Sequence, residues 1–284
     1  MIPAQFEYVA PTSVDEALAA LARHGDEAKV IAGGQSLLPV LRMRLNAPEV
    51  VVDLGAIAAL RGVRDDGDAL VIGAMTTHHD VLHDPLVAQH AAPIAKAEEH
   101  LADAQVRHRG TFGGALAHAD PAGDLGAPVL ALGAEFVIAG PTGTRTVAAD
   151  DFFVGLFETA IAEGELLTEV RIPKHTGWGA HYEKFVRVAH QWPIVAVAAA
   201  VRAEGGTIAE ARVGLTNMGS TPLRALAVEQ ALAGRPATED AVREAASRAA
   251  EGTDPPSDLN GAADYRRHLA GVLTRRAVLA AAGG

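Results

Sequence analysis

The sequence predicts an α+β protein in two parts, and three observations carry that reading. Short β-like runs alternate with amphipathic helical stretches through roughly the first 175 residues. Three β-like runs then follow in succession, with Gly205-Gly206 reading as a hairpin turn between the last two. Ala-rich helical segments close the chain, as helix preference favours. The change of texture falls at Lys174 to Gly179, a polar stretch with two glycines just after Pro173.

Each element has a local reason. Val14 to His24 places Val14, Leu18 and Leu21 on one helical face, with Thr12 or Ser13 as N-cap and Gly25 as the stop. Lys29 to Ala32 reads as a short buried strand running into Gly33-Gly34, and Leu37 to Leu45 has helical spacing. Val50 to Leu54 and Ala69 to Gly73 are β-like. Asp84 to Ala102 is helical with an interruption at Pro93. Arg109 to Leu116 reads as a Gly-rich loop, and Asp124 caps a helix running to Leu132. Glu135 to Ala139 and Leu166 to Ile172 are strands, the second stopped by Pro173. Beyond the boundary, strands are expected over 181–188, 194–203 and 208–215, and helices over 222–233, 238–250 and 262–281.

Composition narrows the function. With 49% apolar and 21% charged residues over 284 positions, the chain is globular rather than disordered or fibrous. A formal net charge of −11, from 24 basic and 35 acidic residues, argues against sequence-independent binding to nucleic acid or to an anionic membrane. Cysteine is absent, so any iron–sulfur chemistry must come from a partner. The N-terminus lacks a basic region followed by an apolar run, so no signal peptide is expected. Ile194 to Val201, the longest apolar run, suits a strand and is far short of the ~20 residues of a spanning helix. A soluble cytoplasmic protein is the expectation.

Two glycine pairs carry the chemistry. Ala32-Gly33-Gly34-Gln35-Ser36 lies between a strand and a helix, where paired glycines let a ligand approach and the helix start offers N–H groups to an anion. Its plainer reading is a strand–turn–helix corner with Ser36 as N-cap. Arg109-Gly110-Thr111-Phe112-Gly113-Gly114-Ala115 offers a second cradle, or simply a tight corner. Neither is a G-x-G-x-x-G or a P-loop. Together they suit two phosphates held from two sides, as in a dinucleotide. Asp124 is either a pure cap or an acceptor for ligand hydroxyls. His78, His79 and His83 lie close in sequence, but without H-E-x-x-H no metal site is expected.

AGGQS (32–36) and TFGGALAHADPAGDL (111–125) resemble the FAD-binding medium subunit of the molybdenum hydroxylases, the group that includes xanthine dehydrogenase and aerobic carbon monoxide dehydrogenase. VVDLGAI (51–57), IGAMTTHHDV (72–81), ELLTEVRIP (165–173), YEKF (182–185) and TPLRA (221–225) extend the resemblance in order across nearly the whole chain. The resemblance implies a vanillyl-alcohol-oxidase-like (PCMH-type) FAD-binding domain of two α+β subdomains over 1–175. It implies a C-terminal domain over 176–284, a three-stranded antiparallel sheet with helices.

It implies non-covalent FAD, with the diphosphate held by backbone N–H groups of Ala32, Gly33, Gly34, Gln35 and Ser36 and of Thr111, Phe112, Gly113, Gly114 and Ala115. A Cβ branch at Gly33 or Gly114 would then enter the diphosphate path. Asp124 would bind FAD hydroxyls, Leu167 would touch the adenine end, and Lys184 would set a positive charge near the flavin or its phosphates. Trp192 falls where carbon monoxide dehydrogenases carry a ring-shielding Tyr; its alternative is a core Trp of the small domain. Ala115 replaces the family's usual Asn. The implied partners are a large molybdenum-cofactor subunit and a small subunit with [2Fe–2S] clusters, assembled as a dimer of heterotrimers. The flavin performs the redox chemistry, so no residue of this chain is expected to be catalytic. A stand-alone flavoenzyme of the same fold and a non-enzymatic module for a phosphorylated ligand are the alternatives.

Overall fold

The computed structural model describes residues 2–283, and its first layer is a small parallel sheet. Strands β1 (Glu7–Val9), β2 (Ala28–Ile31) and β3 (Val50–Asp53) pair in the order β1-β3-β2, and helices α1 (Val14–His24) and α2 (Leu37–Arg42) make the crossovers. Ser13 caps α1 by accepting from the Glu16 N–H, and Glu16 reaches back to Thr12, a reciprocal pair that fixes this helix start. Ala17 and Leu21 of α1 pack on Val50 and Val52.

The second layer is a five-stranded antiparallel sheet in the order β4-β5-β10-β6-β7. It is built from β4 (Val63–Asp66), β5 (Ala69–Gly73), β6 (Glu135–Gly140), β7 (Gly143–Ala148) and the central β10 (Leu166–Pro173). Between β5 and β6 lie α3 (His78–His83), α4 (Pro85–His90), α5 (Ala92–His100), α6 (Ala104–Arg107), α7 (Phe112–His118) and α8 (Gly126–Ala131). After β7 come α9 (Ala149–Phe152) and the hairpin of β8 (Phe153–Gly155) and β9 (Glu158–Thr159). The expected long helix 84–102 breaks at Ala91, two residues before Pro93, because Pro93 occupies the first turn of α5.

The C-terminal part pairs β11 (Gly179–Phe185), β12 (Val195–Glu204), β13 (Thr207–Thr216) and β14 (Leu223–Arg224) in order. The expected three strands are present, and a two-residue fourth is added where the start of a helix was expected. That helix, α10, covers only Leu226–Leu232, because Pro222 and the β14 pairing hold residues 222–224 extended. Gly205 (φ 57°) and Gly206 (φ 79°) form the hairpin turn, whose two left-handed positions favour glycine. α11 (Glu239–Ala246) and α12 (Ala263–Ala282) complete the chain.

The alternation along β12 explains its composition. Ala196, Ala198 and Ala200 face the core shared with α5 and α8, while Val195, Val197 and Val201 face α12. The alanine face lets helix α8 approach closely: a Cβ at Gly214, on the neighbouring strand, would strike the Ala127 backbone, 2.8 Å from its carbonyl carbon.

Candidate cofactor cleft

The two glycine segments meet directly. Ala32 to Ser36 leaves β2 and enters α2; Gly110 to Ala115 leads into and forms the first turn of α7. The second segment is therefore helix rather than the expected loop. Thr111 caps that helix, its Oγ1 accepting from the Gly114 N–H at 3.2 Å. Together the segments line a cleft of about 800 Å3, with Lys29, Met75, His78, His118, Phe157 and the 161–167 stretch on its other walls. That volume is within the range of about 300–1,000 Å3 usual for ligand sites.

Backbone bonding shows where donors remain. The Phe112 and Gly113 N–H groups donate to the Thr76 and Ala74 carbonyls, each at 2.9 Å, and the Ala115 N–H donates to the Thr111 carbonyl. These are spent. Among the described residues, the N–H groups of Gly33, Gly34, Gln35, Ser36 and Thr111 have no partner within the chain. A cluster of unpaired N–H groups beside a helix start is an anion site. Ser36, read above as a possible N-cap, makes no side-chain cap bond.

The glycines serve the join between the segments. A Cβ at Gly33 would strike the Arg109 carbonyl and lie 2.6 Å from Gly110 Cα; one at Gly113 would lie 2.6 Å from Ala74 Cα. A Cβ at Gly114 would lie 2.6 Å from Thr111 Oγ1, the cap itself. Those Cβ directions point at neighbouring chain, so the expected steric path through the diphosphate is replaced by a requirement for close backbone approach. Gly34 adopts φ 77°, a left-handed turn that glycine adopts without strain.

The remaining site candidates are distributed as follows. Leu167 of β10 lines the cleft; Phe112, Asp124, Lys184 and Trp192 do not. Phe112 is fully buried in the main core beneath α7. Asp124 does not cap α8, whose cap position is Leu125 with no side-chain bond. Its carboxylate instead accepts from Tyr182 Oη and Lys184 Nζ, both at 2.8 Å. Burial pushes the Asp124 carboxyl up from its ordinary range, against the pull of Lys184 and Tyr182. Lys184 also donates to the His100 carbonyl and lines a second cavity of about 300 Å3 with Glu99, Arg107 and His190. Trp192 is 68% exposed, which excludes the core-Trp alternative.

Several wall residues had no motif to announce them. The wall segment 157–165 is tied down by Arg145, which binds Glu165 at 2.6 Å and the Ala160 carbonyl. Phe157, at φ 56°, lays its ring 5.1 Å from that of His118. His79 stacks 4.0 Å from His108 at the surface, and among the described residues no group of three or more His, Asp or Glu side chains is placed to hold a metal ion.

Fold and cleft thus define a class of protein in which two glycine-rich segments, 32–36 and 110–115, meet at the wall of one cleft and leave backbone N–H groups unpaired there. The family of FAD-binding domains in molybdopterin dehydrogenases matches residues 4–175, and that of CO dehydrogenase flavoprotein C-terminal domains matches residues 180–281. The carbon monoxide dehydrogenase medium chain of Hydrogenophaga pseudoflava is 43% identical, over 99% of this chain and 98% of that one. The nicotine 6-hydroxylase medium subunit of Paenarthrobacter nicotinovorans is 36% identical, over 96% of each. The structure of reconstituted CO dehydrogenase from Oligotropha carboxidovorans superposes with a TM-score of 0.97 at 41% identity, covering 100% of this chain and 99% of that one. The chain belongs to the family of FAD-binding medium subunits of the molybdenum hydroxylases. It is an oxidoreductase subunit, and its cofactor is FAD. Among the described residues no helix is long and apolar enough to cross a membrane.

Proposed function

We propose that the chain holds FAD with its diphosphate in the cleft between residues 32–36 and 110–115, and carries electrons for a molybdenum hydroxylase. The observation that carries this reading is the set of five unpaired N–H groups on two segments that line the same cleft. Gly33, Gly34, Gln35, Ser36 and Thr111 supply those donors. Ala32, Gly113, Gly114 and Ala115 shape the walls, Leu167 offers an apolar contact, and Phe112 supports α7 from the core. Asp124 and Lys184 form the buried pair beside the smaller cavity, and Trp192 offers an exposed aromatic face for the isoalloxazine. When bound, FAD supplies one-electron exchange with iron–sulfur clusters and delivery to an external acceptor. This chain's residues bind, orient and shield it.

The sequence contains no cysteine, so iron–sulfur clusters must be held by a partner. The family resemblance supports a small partner for the clusters and a large one for the molybdenum cofactor. Relatives named for substrates as unlike as carbon monoxide and nicotine share this architecture. That supports a chain serving electron transfer, with substrate choice made in another subunit. The same resemblance supports a PCMH-type domain over 1–175, a flavoprotein C-terminal domain over 176–284, a dimer of heterotrimers and a cytoplasmic location. Co-purification from the native host tests the reading. Flavin bands, molybdenum, iron and two accompanying chains are expected, in a particle of twice the heterotrimer mass. A colourless chain that refuses added FAD overturns it.

A further inference from the structure

A buried histidine–glutamate pair abuts the cleft. His78, 3% exposed, lines the cleft, and its Nδ1 lies 3.0 Å from Glu98 Oε1 on helix α5. The other edge of the ring packs on Gly110: a Cβ there would lie 2.8 Å from His78 Cδ2 and 3.1 Å from Nε2. Gly110 immediately precedes Thr111, one of the unpaired donors, and the His78 N–H bonds the Gly110 carbonyl at 3.1 Å. Nε2 itself has no partner among the described residues. Glu98 is fully buried, and its second oxygen, Oε2, has no partner either.

Resting on the reading of this cleft as the FAD diphosphate site, we propose that His78 is a further binding residue, whose Nε2–H donates to the anionic cofactor while Glu98 holds the ring, and that FAD binding draws the required proton from solvent. With Glu98 ionised and Nδ1–H given to it, a neutral imidazole carries a lone pair on Nε2, beside Gly110 in the cleft wall, and a lone pair repels an anion. One proton added at Nε2 converts that lone pair into a charge-assisted donor. The pair is then imidazolium and carboxylate, without net charge, and nothing is oxidised or reduced. Burial favours this state, because a lone carboxylate in the interior is costly. The same burial pushes the Glu98 carboxyl up from its ordinary range, against the pull of His78. Asp124, ahead of α8, adds to that rise and Arg107 on α6 opposes it. On α3 itself the neighbours are His79 and Asp80; His118 on α7 is the other imidazole of the cleft, held below its ordinary range by burial.

The test is calorimetric titration of FAD into the deflavinated full chain near pH 8, in two buffers of different ionisation heat. The wild type is expected to take up close to one proton per FAD. Its affinity should fall as pH rises, by up to tenfold per pH unit. His78→Gln should bind more weakly, with no proton uptake and a flat pH profile, while His268→Gln, exposed on α12 and not part of the cleft, keeps the wild-type affinity and proton uptake. Normal FAD binding without proton uptake, or uptake that survives in His78→Gln, overturns the role of His78 and leaves the cleft reading standing. Failure of the folded wild type to bind FAD at all overturns the cleft reading, and this proposal with it.

Discussion

Replacing Gly33 by alanine tests the join on which the cleft depends. The added Cβ would sit 2.6 Å from Gly110 Cα and 2.8 Å from the Arg109 carbonyl carbon. Carbon contacts settle near about 3.5–4.0 Å, so the segments must part by about 1 Å. The 109–110 backbone cannot yield freely. The Gly110 N–H is bound to the Val106 carbonyl at 2.7 Å, and the Gly110 carbonyl accepts from the His78 N–H at 3.1 Å. Overpacking of this kind costs about 1–3 kcal/mol. At about 2–4 °C per kcal/mol, the melting temperature of the apo chain should fall by roughly 2–12 °C. Parting the segments also separates Thr111 from the donors of 33–36. Losing even one hydrogen bond to an anion, about 1.5–3 kcal/mol, weakens FAD at least tenfold. Thermal denaturation followed by circular dichroism reads the first effect, and quenching of flavin fluorescence reads the second. A variant that melts within about 1 °C of wild type and binds FAD equally would refute the close approach as the reason for glycine.

Thr111→Ala removes the cap of α7 and should cost about 0.5–2 kcal/mol in urea denaturation, with Thr111→Ser restoring most of it. Lys184→Met strands the Asp124 carboxylate in a site where both partners are under a tenth exposed, and should cost about 3–5 kcal/mol; adding Asp124→Asn should recover part of that loss. The raised Asp124 carboxyl means that the native chain holds this proton more tightly than the unfolded chain does. The stabilisation from this group is therefore full below about pH 3.9 and declines as pH rises through the native value. Asp124→Asn should gain on wild type over that window, and a stability difference constant from about pH 3 to 7 would contradict the sign. Trp192→Ala should leave stability within about 0.5 kcal/mol, since the indole is largely exposed, while shifting the visible band of the reconstituted flavin.

Much of the framework is written locally. Ser13, Glu16 and Gly25 bracket α1 through their own capping bonds, and Gly205-Gly206 prescribe the tightest hairpin without reference to anything distant. Residues 109–116 looked like a loop because three glycines lower helix preference. The helix forms because Thr111 caps it and because Ala74 and Thr76 accept its first donors from across the layer. That same pairing decides which N–H groups remain for a ligand, and it is invisible without tertiary structure. Asp124 has the side chain of a cap, yet Tyr182 and Lys184, about 60 residues later, claim it. His78, His118 and Phe157 reach the cleft from elements whose sequences carry no ligand motif.

The cleft also has a calendar. Gly33 fits against Arg109 and Gly110, and the sheet carrying Ala74 is completed by pairing Ala69–Gly73 with Glu169–Pro173. Synthesis adds about 5–20 residues per second, so the first glycine pair waits several seconds for its counterpart and longer for strand β10. A nascent chain therefore has nothing with which to grip a dinucleotide until more than half of it has been made. Cofactor capture is placed after the long-range closure of the fold, and retention of flavin becomes a report on whether that closure was completed.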